Sequence, residues 1–361
     1  MLRTTLMRAV PAQSLVGPAI LLSSRRTFAS NASRWSSLVA KRTNEQSVSG
    51  SEGPHIRDLP PPPTEGDVFK GDWVLFHPVY SKQELKSVQV VHQETKTFGD
   101  KVAYAGVKYT RMLFDLVSGY RHHDKIPENM TLEQLRKKGI VMNEKQWLTR
   151  ILFLESIAGV PGMVAATCRH LRSLRLMKRD SGWIHTLLEE AENERMHLLT
   201  FMTIRDPPMW FRAMILGAQG VYYNLFFFSY LFSPKICHRF VGYLEEEAVK
   251  TYTQCINELE AGRLPAWSDA PAPEIAKDYW RLPADAKLID VMYAVRSDET
   301  THRFVNHSLA NLNLKTDVNP FALREPNMHV KGQKIAFERE EAKDYVQESA
   351  RILEKGRARP Q

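Results

Sequence analysis

The sequence predicts an all-α fold, a bundle of long helices, and three observations carry that expectation. Apolar residues follow a helical period from near residue 103 to about 312, with few strand signals. Several of the resulting apolar stripes hold a carboxylate in phase with the face that should be buried. The longest uncharged run, residues 213–232, lies inside this helical region. At 361 residues and 43% hydrophobic content, the chain suits one large core with appendages, or two domains, and is not disordered throughout.

Residues 1–44 contain Arg3, Arg8, Arg25, Arg26, Arg34, Lys41 and Arg42 and no acidic residue. An Arg-rich, Ser-rich, acid-free start is the composition of a mitochondrial transit peptide. It supplies +7 of the net +8, so the remainder is nearly neutral and the basic pI does not signal nucleic-acid binding. A secretory signal fits less well, because the apolar run Ala19–Leu22 is short and Arg25 and Arg26 follow it. Residues 45–69, rich in Ser, Gly, Glu and Pro and including Pro60–Pro63, form a linker. Residues 70–102 are irregular and suggest an extended N-terminal arm. Residues 103–312 form the bundle, and 313–361 a charged C-terminal extension with one helix from Phe337 to Glu354. Cys168, Cys237 and Cys255 show no metal-ligand spacing and are expected to be buried, reduced thiols.

Glu194-Arg-Met-His197 and Glu299-Thr-Thr-His302 share the pattern Glu-x-x-His. On a helix, residues three apart share a face, so each pair can hold one metal ion. Alone the pattern is weak: Glu52-Gly-Pro-His55 also fits, but Gly and Pro deny it a helix. Phase separates the two real candidates from chance. Leu187, Ala191, Glu194, Leu198 and Phe201 form one stripe, with His197 beside it; Leu288, Val291, Val295, Glu299, His302 and Leu309 form another. A carboxylate in a buried stripe is costly unless paired, hydrogen-bonded or bound to metal. The bland alternative is a surface pair satisfied by Arg195 and Arg303.

A four-helix bundle with a di-iron carboxylate site needs one further Glu from each of two other helices. Leu148, Leu152, Glu155, Gly159 and Met163 supply one stripe, in which Gly159 and Gly162 would admit a close neighbour. Of Glu245, Glu246 and Glu247, only Glu245 shares a face with His238, Val241, Ala248 and Tyr252. The other two are expected to be polar or supporting positions, at least one of them on a solvated face. The expected fold is therefore a ferritin-like four-helix bundle whose metal ligands are Glu155, Glu194, His197, Glu245, Glu299 and His302. Four carboxylates and two imidazoles suit two iron ions.

Residues 213–232 would make a helix of about 30 Å, enough to span a bilayer. A single crossing there would put the helices of Glu194 and Glu245 on opposite sides of a membrane, unable to share a centre. A second crossing has only 147–166 as candidate, which contains Glu155. The segment should therefore lie in the interface, with Gln219, Tyr222, Tyr223 and Asn224 as its polar part. Val107–Tyr120, with Tyr109, Met112, Leu113, Leu116 and Val117 opposing Arg111 and Asp115, suggests a second interfacial helix. Ordinary core packing is the alternative for both.

The runs LESIAGVPGM, NERMHL, VGYLEEEA and RSDETTHRFVNH, in this order and spacing, make residues 70–310 closely resemble the alternative oxidase family. The resemblance implies a ubiquinol:O2 oxidoreductase that reduces O2 to water and bypasses the proton-pumping oxidases. It implies two iron ions per subunit at the six positions above, a homodimer, and the matrix-facing side of the mitochondrial inner membrane. It suggests supporting or electron-transfer roles for Asn193, His238, Asp298, Tyr252 and Tyr279, with Tyr252 a candidate radical. Quinol head-group contacts would fall on Arg111, Asp115, Arg150, Leu154, Ala248 and Thr251, with Tyr252 beside them. Plant members carry a regulatory cysteine before the first bundle helix, whereas no cysteine precedes Cys168 here. The RADE form of the last motif reads Arg296-Ser-Asp-Glu299, and the resemblance is to a fungal or protist type. A related di-iron quinone hydroxylase would lack NERMH and LEEEA as written here. A ferritin-like iron store would need neither a targeting segment nor the uncharged run.

Overall fold

The computed structural model describes residues 79–118, 126–127 and 129–357. The expected transit peptide, the linker, the first part of the arm and the Val117 side chain lie outside the described residues. Among those described there is no strand, only an isolated bridge between Pro271 and Lys287. The helices are α1 (Lys82–Ser87), α2 (Phe98–Ser118), α3 (Leu132–Lys137), α4 (Glu144–Ala158), α5 (Val160–Leu176) and α6 (Trp183–Ile204). They continue with α7 (Met209–Phe232), α8 (Pro234–Glu260), α9 (Glu274–Trp280), α10 (Leu288–Asn311), α11 (Met328–Gln333) and α12 (Arg339–Arg357).

Local chemistry sets several boundaries. Asn143 and Gln146 close a reciprocal capping box at the start of α4, and Ser233 caps α8 ahead of Pro234. Helix α2 starts at Phe98, ahead of the periodicity near 103, because Thr97 and Asp100 satisfy each other's backbone N–H groups. Helices α4 and α5 form one run broken at Gly159, where Pro161 has no N–H to continue the ladder. One expectation is corrected beyond the break: Met163, placed in the buried stripe, is 44% exposed.

Helices α4, α6, α8 and α10 form the bundle, with α5 packed on α6, α2 on α8, and α7 across α4, α5 and α8. Two close approaches define its tightness. A Cβ on Gly162 would stand 2.7 Å from the Leu187 carbonyl oxygen of α6, and one on Gly242 would stand 2.6 Å from the His307 ring of α10. Apolar side chains fill the bundle in two layers. Leu148, Ile151, Phe201, Ile256, Val291 and Val295 occupy one end; Val164, Leu187, Val241, Phe304 and Leu309 the other. Helix α10 is buried on all sides. Beyond it, residues 313–357 fold back so that Phe321 and Phe337 pack on Phe304.

Helix α2 turns its charged face inward and leaves Tyr109, Met112, Leu113 and Leu116 exposed. Helix α7 buries only Phe211, Phe226 and Tyr230 and exposes Trp210, Leu216, Val221, Leu225, Phe228, Leu231 and Phe232. The described helical run long and apolar enough to cross a membrane is Glu144–Leu176, which is half buried and carries Glu155 in the core.

Candidate metal centre

The four central helices bring all six expected ligands together between the two apolar layers. Glu155 Oε2, Glu194 Oε2 and Glu299 Oε1 stand 3.3, 3.6 and 3.3 Å from His197 Nδ1. Glu194 Oε1 lies 2.7 Å and Glu299 Oε2 3.7 Å from His302 Nδ1. Two groups of ligand atoms result, each within 4.8 Å: Glu155, Glu194, His197 and Glu299, then Glu194, Glu245, Glu299 and His302. Glu194 and Glu299 belong to both. All six residues are buried.

The arrangement fits cations. Glu155 Oε2, both Glu194 oxygens and the Nδ1 atoms of both histidines are buried without hydrogen-bond partners, although they crowd one another. Burial, and for Glu245 the charges of Glu299 and Glu194, push the Glu155 and Glu245 carboxyls above their ordinary range. Burial disfavours charged imidazole, yet the hydrogen bond to Asp298 and the carboxylates crowded around Nδ1 hold His197 well above its usual value. Carboxylates packed this closely demand positive charge, and a hard O,N donor set of this kind suits iron. Arg195 and Arg303 do not supply that charge: Arg195 pairs with Glu192, and Arg303 donates to the backbone carbonyls of Gln89 and Lys331.

Asp298 stands behind His197. Its Oδ2 accepts from His197 Nε2 at 3.0 Å, Asn193 Nδ2 at 3.0 Å and Trp280 Nε1 at 2.9 Å, which leaves His197 Nδ1 for the cluster. Trp280 also stacks on the His197 ring, and Asn193 donates to the Tyr279 hydroxyl at 2.9 Å. The Tyr252 hydroxyl donates to Glu155. Tyr252, Tyr279, Asn193 and Asp298 therefore all reach the cluster or its immediate supports.

His238 takes part in a separate chain on the other side. Asn306 Nδ2 donates to Glu190 Oε2 at 2.7 Å and to the His302 carbonyl at 3.1 Å. Its Oδ1 must then accept from His238 Nδ1, at 3.0 Å, so His238 Nε2 accepts from the Tyr230 hydroxyl at 3.2 Å. Burial lowers His238 to about 4, consistent with this neutral tautomer, and burial pushes Glu190 up to about 7.

Of the expected quinol contacts, Arg111, Asp115, Arg150 and Thr251 come together. Arg111 bonds Asp115 at 2.8 Å, Glu247 at 2.7 Å and Thr251 at 3.5 Å, and Arg150 meets Asp115 at 2.6 Å. Leu154 and Ala248 are half-buried on the flanking helices. A separate cavity of about 450 Å³ reaches Glu155 between α4, α5, α6 and α7, past Met163, Leu198, Leu216 and Tyr223, and none of the expected quinol contacts lines it. The expectation of a solvated Glu in the run fails. Glu247 pairs with Arg111, and Glu246 holds His92, the Gln93 N–H and His307, because α2 and the arm cover that side of α8.

The alternative oxidase family model matches residues 80–311. The chain belongs to the alternative oxidase family. A protein named alternative oxidase, mitochondrial, from Cryptococcus neoformans var. grubii is 55% identical over 311 residues, covering 84% of this chain and 77% of that protein. Proteins of the same name from Aspergillus niger and Emericella nidulans are 51% and 48% identical. They cover 80% and 88% of this chain, and 81% and 92% of their own lengths. These relatives are fungal, one of the two types, fungal or protist, that the resemblance suggested. Four residues at or behind the site were not singled out by the sequence pattern: Glu190, Asn306, Trp280 and Tyr80, whose hydroxyl donates to Asp298 Oδ1. Glu190 lies four residues before Glu194 and Asn306 four after His302, so helical phase could have found both. Trp280 and Tyr80 come from segments whose position only the tertiary structure defines.

Proposed function

We propose that the chain is a ubiquinol:oxygen oxidoreductase that holds two irons and reduces O2 to water with four electrons. The observation that supports it most is the pair of buried ligand groups sharing Glu194 and Glu299. Glu155 and His197 would complete one metal position, and Glu245 and His302 the other. Two irons held there would supply reducing equivalents to O2 two at a time.

The remaining chemistry belongs to the chain's own residues. Asp298 keeps the His197 proton on Nε2, so that Nδ1 stays available to metal. O2 needs four electrons and a quinol gives two, so an intermediate stage must hold oxidising equivalents until a second quinol donates. Tyr252 can lose an electron and a proton, and Glu155 is placed to take that proton. Arg111, Asp115, Arg150 and Thr251 are the polar groups that would orient a quinol head group, with Leu154 and Ala248 against its ring. Asn193 and Tyr279 extend the Asp298 network, and His238 anchors the chain behind His302.

The exposed apolar faces of α2 and α7 support seating in one leaflet rather than a crossing, because the ligand helices flank α7 in sequence. The reading seats the enzyme on the matrix side of the inner mitochondrial membrane, and the acid-free N-terminus and the mitochondrial names of its relatives support its mitochondrial part. Exposed Leu171, Leu174, Leu176 and Met177 on and after α5 offer an apolar surface to a second copy.

The test is oxygen uptake by the membrane-bound protein with added ubiquinol, with water and peroxide quantified. Water as product, and uptake largely abolished in Tyr252→Phe with both irons retained, are expected. Peroxide as the main product, or no quinol-dependent uptake by an iron-loaded protein, would overturn the reading.

A further inference from the structure

A further residue serving the site comes from outside the bundle. Tyr80 lies ahead of α1, 218 residues from Asp298 in sequence, and its hydroxyl donates to Asp298 Oδ1 at 2.6 Å. We propose that Tyr80 is a positioning residue for the metal centre, fixing the carboxylate that orients His197. The inference rests on the iron-binding reading above.

The argument starts from how Asp298 is held. It is 1% exposed, and His197, Asn193 and Trp280 all meet the same oxygen, Oδ2. Three donors on Oδ2 hold one edge of the carboxylate against turning about the Cβ–Cγ bond, a torsion with broad wells. Tyr80 on Oδ1 holds the opposite edge against the same turn, and hydrogen bonds to an ionised acceptor are among the stronger ones. Asp298 does not need Tyr80 to be satisfied, since three donors already reach it. What Tyr80 adds is a hold on the second oxygen, so that the aim of the carboxylate at His197 is set from both edges. Burial, followed by the Asp298 charge, raises the phenol above its ordinary range, so it remains the donor.

The segment carrying Tyr80 is fastened to the helix it serves. Ser81 caps α1; the Leu85 carbonyl accepts from Arg296 at 2.7 Å and the Gln89 carbonyl from Arg303 at 3.0 Å. Both arginines are buried on α10, Arg296 three residues before Glu299 and Arg303 next to His302. Gln89 also donates to the Gly332 carbonyl at 2.9 Å. A buried guanidinium needs its acceptors, so the strap and the outer face of α10 hold each other. Tyr80 thus stays in register with the helix that bears Asp298, Glu299 and His302.

Tyr80→Phe in the full-length, iron-loaded protein tests this, because the ring and its packing remain. Four readouts are compared with wild type: amide exchange across residues 82–93, iron per chain, the 57Fe Mössbauer spectrum, and quinol-oxidation kcat and KM. The expected result is unchanged amide protection and iron content, one altered iron signal, and kcat lower by about tenfold at unchanged KM. A wild-type spectrum and kcat would show the hydroxyl to be only a satisfied core group. Loss of strap protection together with activity would show a docking role instead. Either result overturns the proposal, whereas a wild-type protein without iron would overturn the reading beneath it.

Discussion

The two halves of the ligand cluster are built from the same parts, a Glu-x-x-His pair and an extra Glu, yet they are supported differently. On one half, His197 is backed by Asp298, itself met by Tyr80, Asn193 and Trp280, and Glu155 takes the Tyr252 hydroxyl. On the other half, Asn306 bonds the His302 backbone carbonyl rather than its ring, and Glu190 reaches the ring only through its charge. Helix α8 runs past both, with His238 seven residues before Glu245 and Tyr252 seven after it on one face. The difference teaches that the Tyr252 end is anchored by charged hydrogen bonds on side chains. The His238 end is held through neutral groups that finish in one buried carboxylate.

Asp298→Asn should sharpen that contrast most. The substitution keeps the volume but removes the charge and one acceptor oxygen, and loss of such support typically weakens metal binding by about 10–100-fold. Ferrous iron titrated into apoprotein against a chelator should show one weakened site and one close to wild type. Equal weakening of both sites would mean that the two halves share their support.

Glu190→Gln probes the other half with a smaller effect. In the metal-free chain, burial raises the Glu190 carboxyl from 4.5 to about 7, so the folded state keeps a proton that the unfolded state has released. Stability should therefore fall as pH rises from about 4.5 to 7 and level off above it, by about 3 kcal/mol from this group. Gln keeps an acceptor for Asn306, so urea denaturation of the apoprotein should show a flatter pH profile over this window. A variant that follows the wild-type profile would show that Glu190 is already ionised at its lower edge.

The ligands were legible because a buried carboxylate breaks an otherwise apolar stripe, and helical phase turns that break into a position. Glu245 could be told from Glu246 and Glu247 on this ground alone. The fate of the other two could not, since it depends on Arg111 and His92 arriving from segments far away in sequence. Met163 was misplaced because phase is carried along a helix only while its hydrogen-bond ladder is continuous, and the ladder is interrupted at Gly159. Trp280 and Tyr80 had no periodic signal at all. Arg296 and Arg303 gave no sign in the sequence that the N-terminal strap covers them, since their carbonyl partners at Leu85 and Gln89 lie 211 and 214 residues away.

The central claim is that Glu194 and Glu299 belong to both metal positions, while Glu155 and Glu245 each belong to one. Iron per chain, measured on wild type and on the Glu155→Ala, Glu245→Ala and Glu194→Ala variants at limiting free iron, tests this most directly. The account predicts two irons in wild type, one in each of the first two variants, and none in Glu194→Ala, which should also have no activity. Two irons retained by Glu194→Ala, or both lost from Glu155→Ala and Glu245→Ala alike, would contradict it.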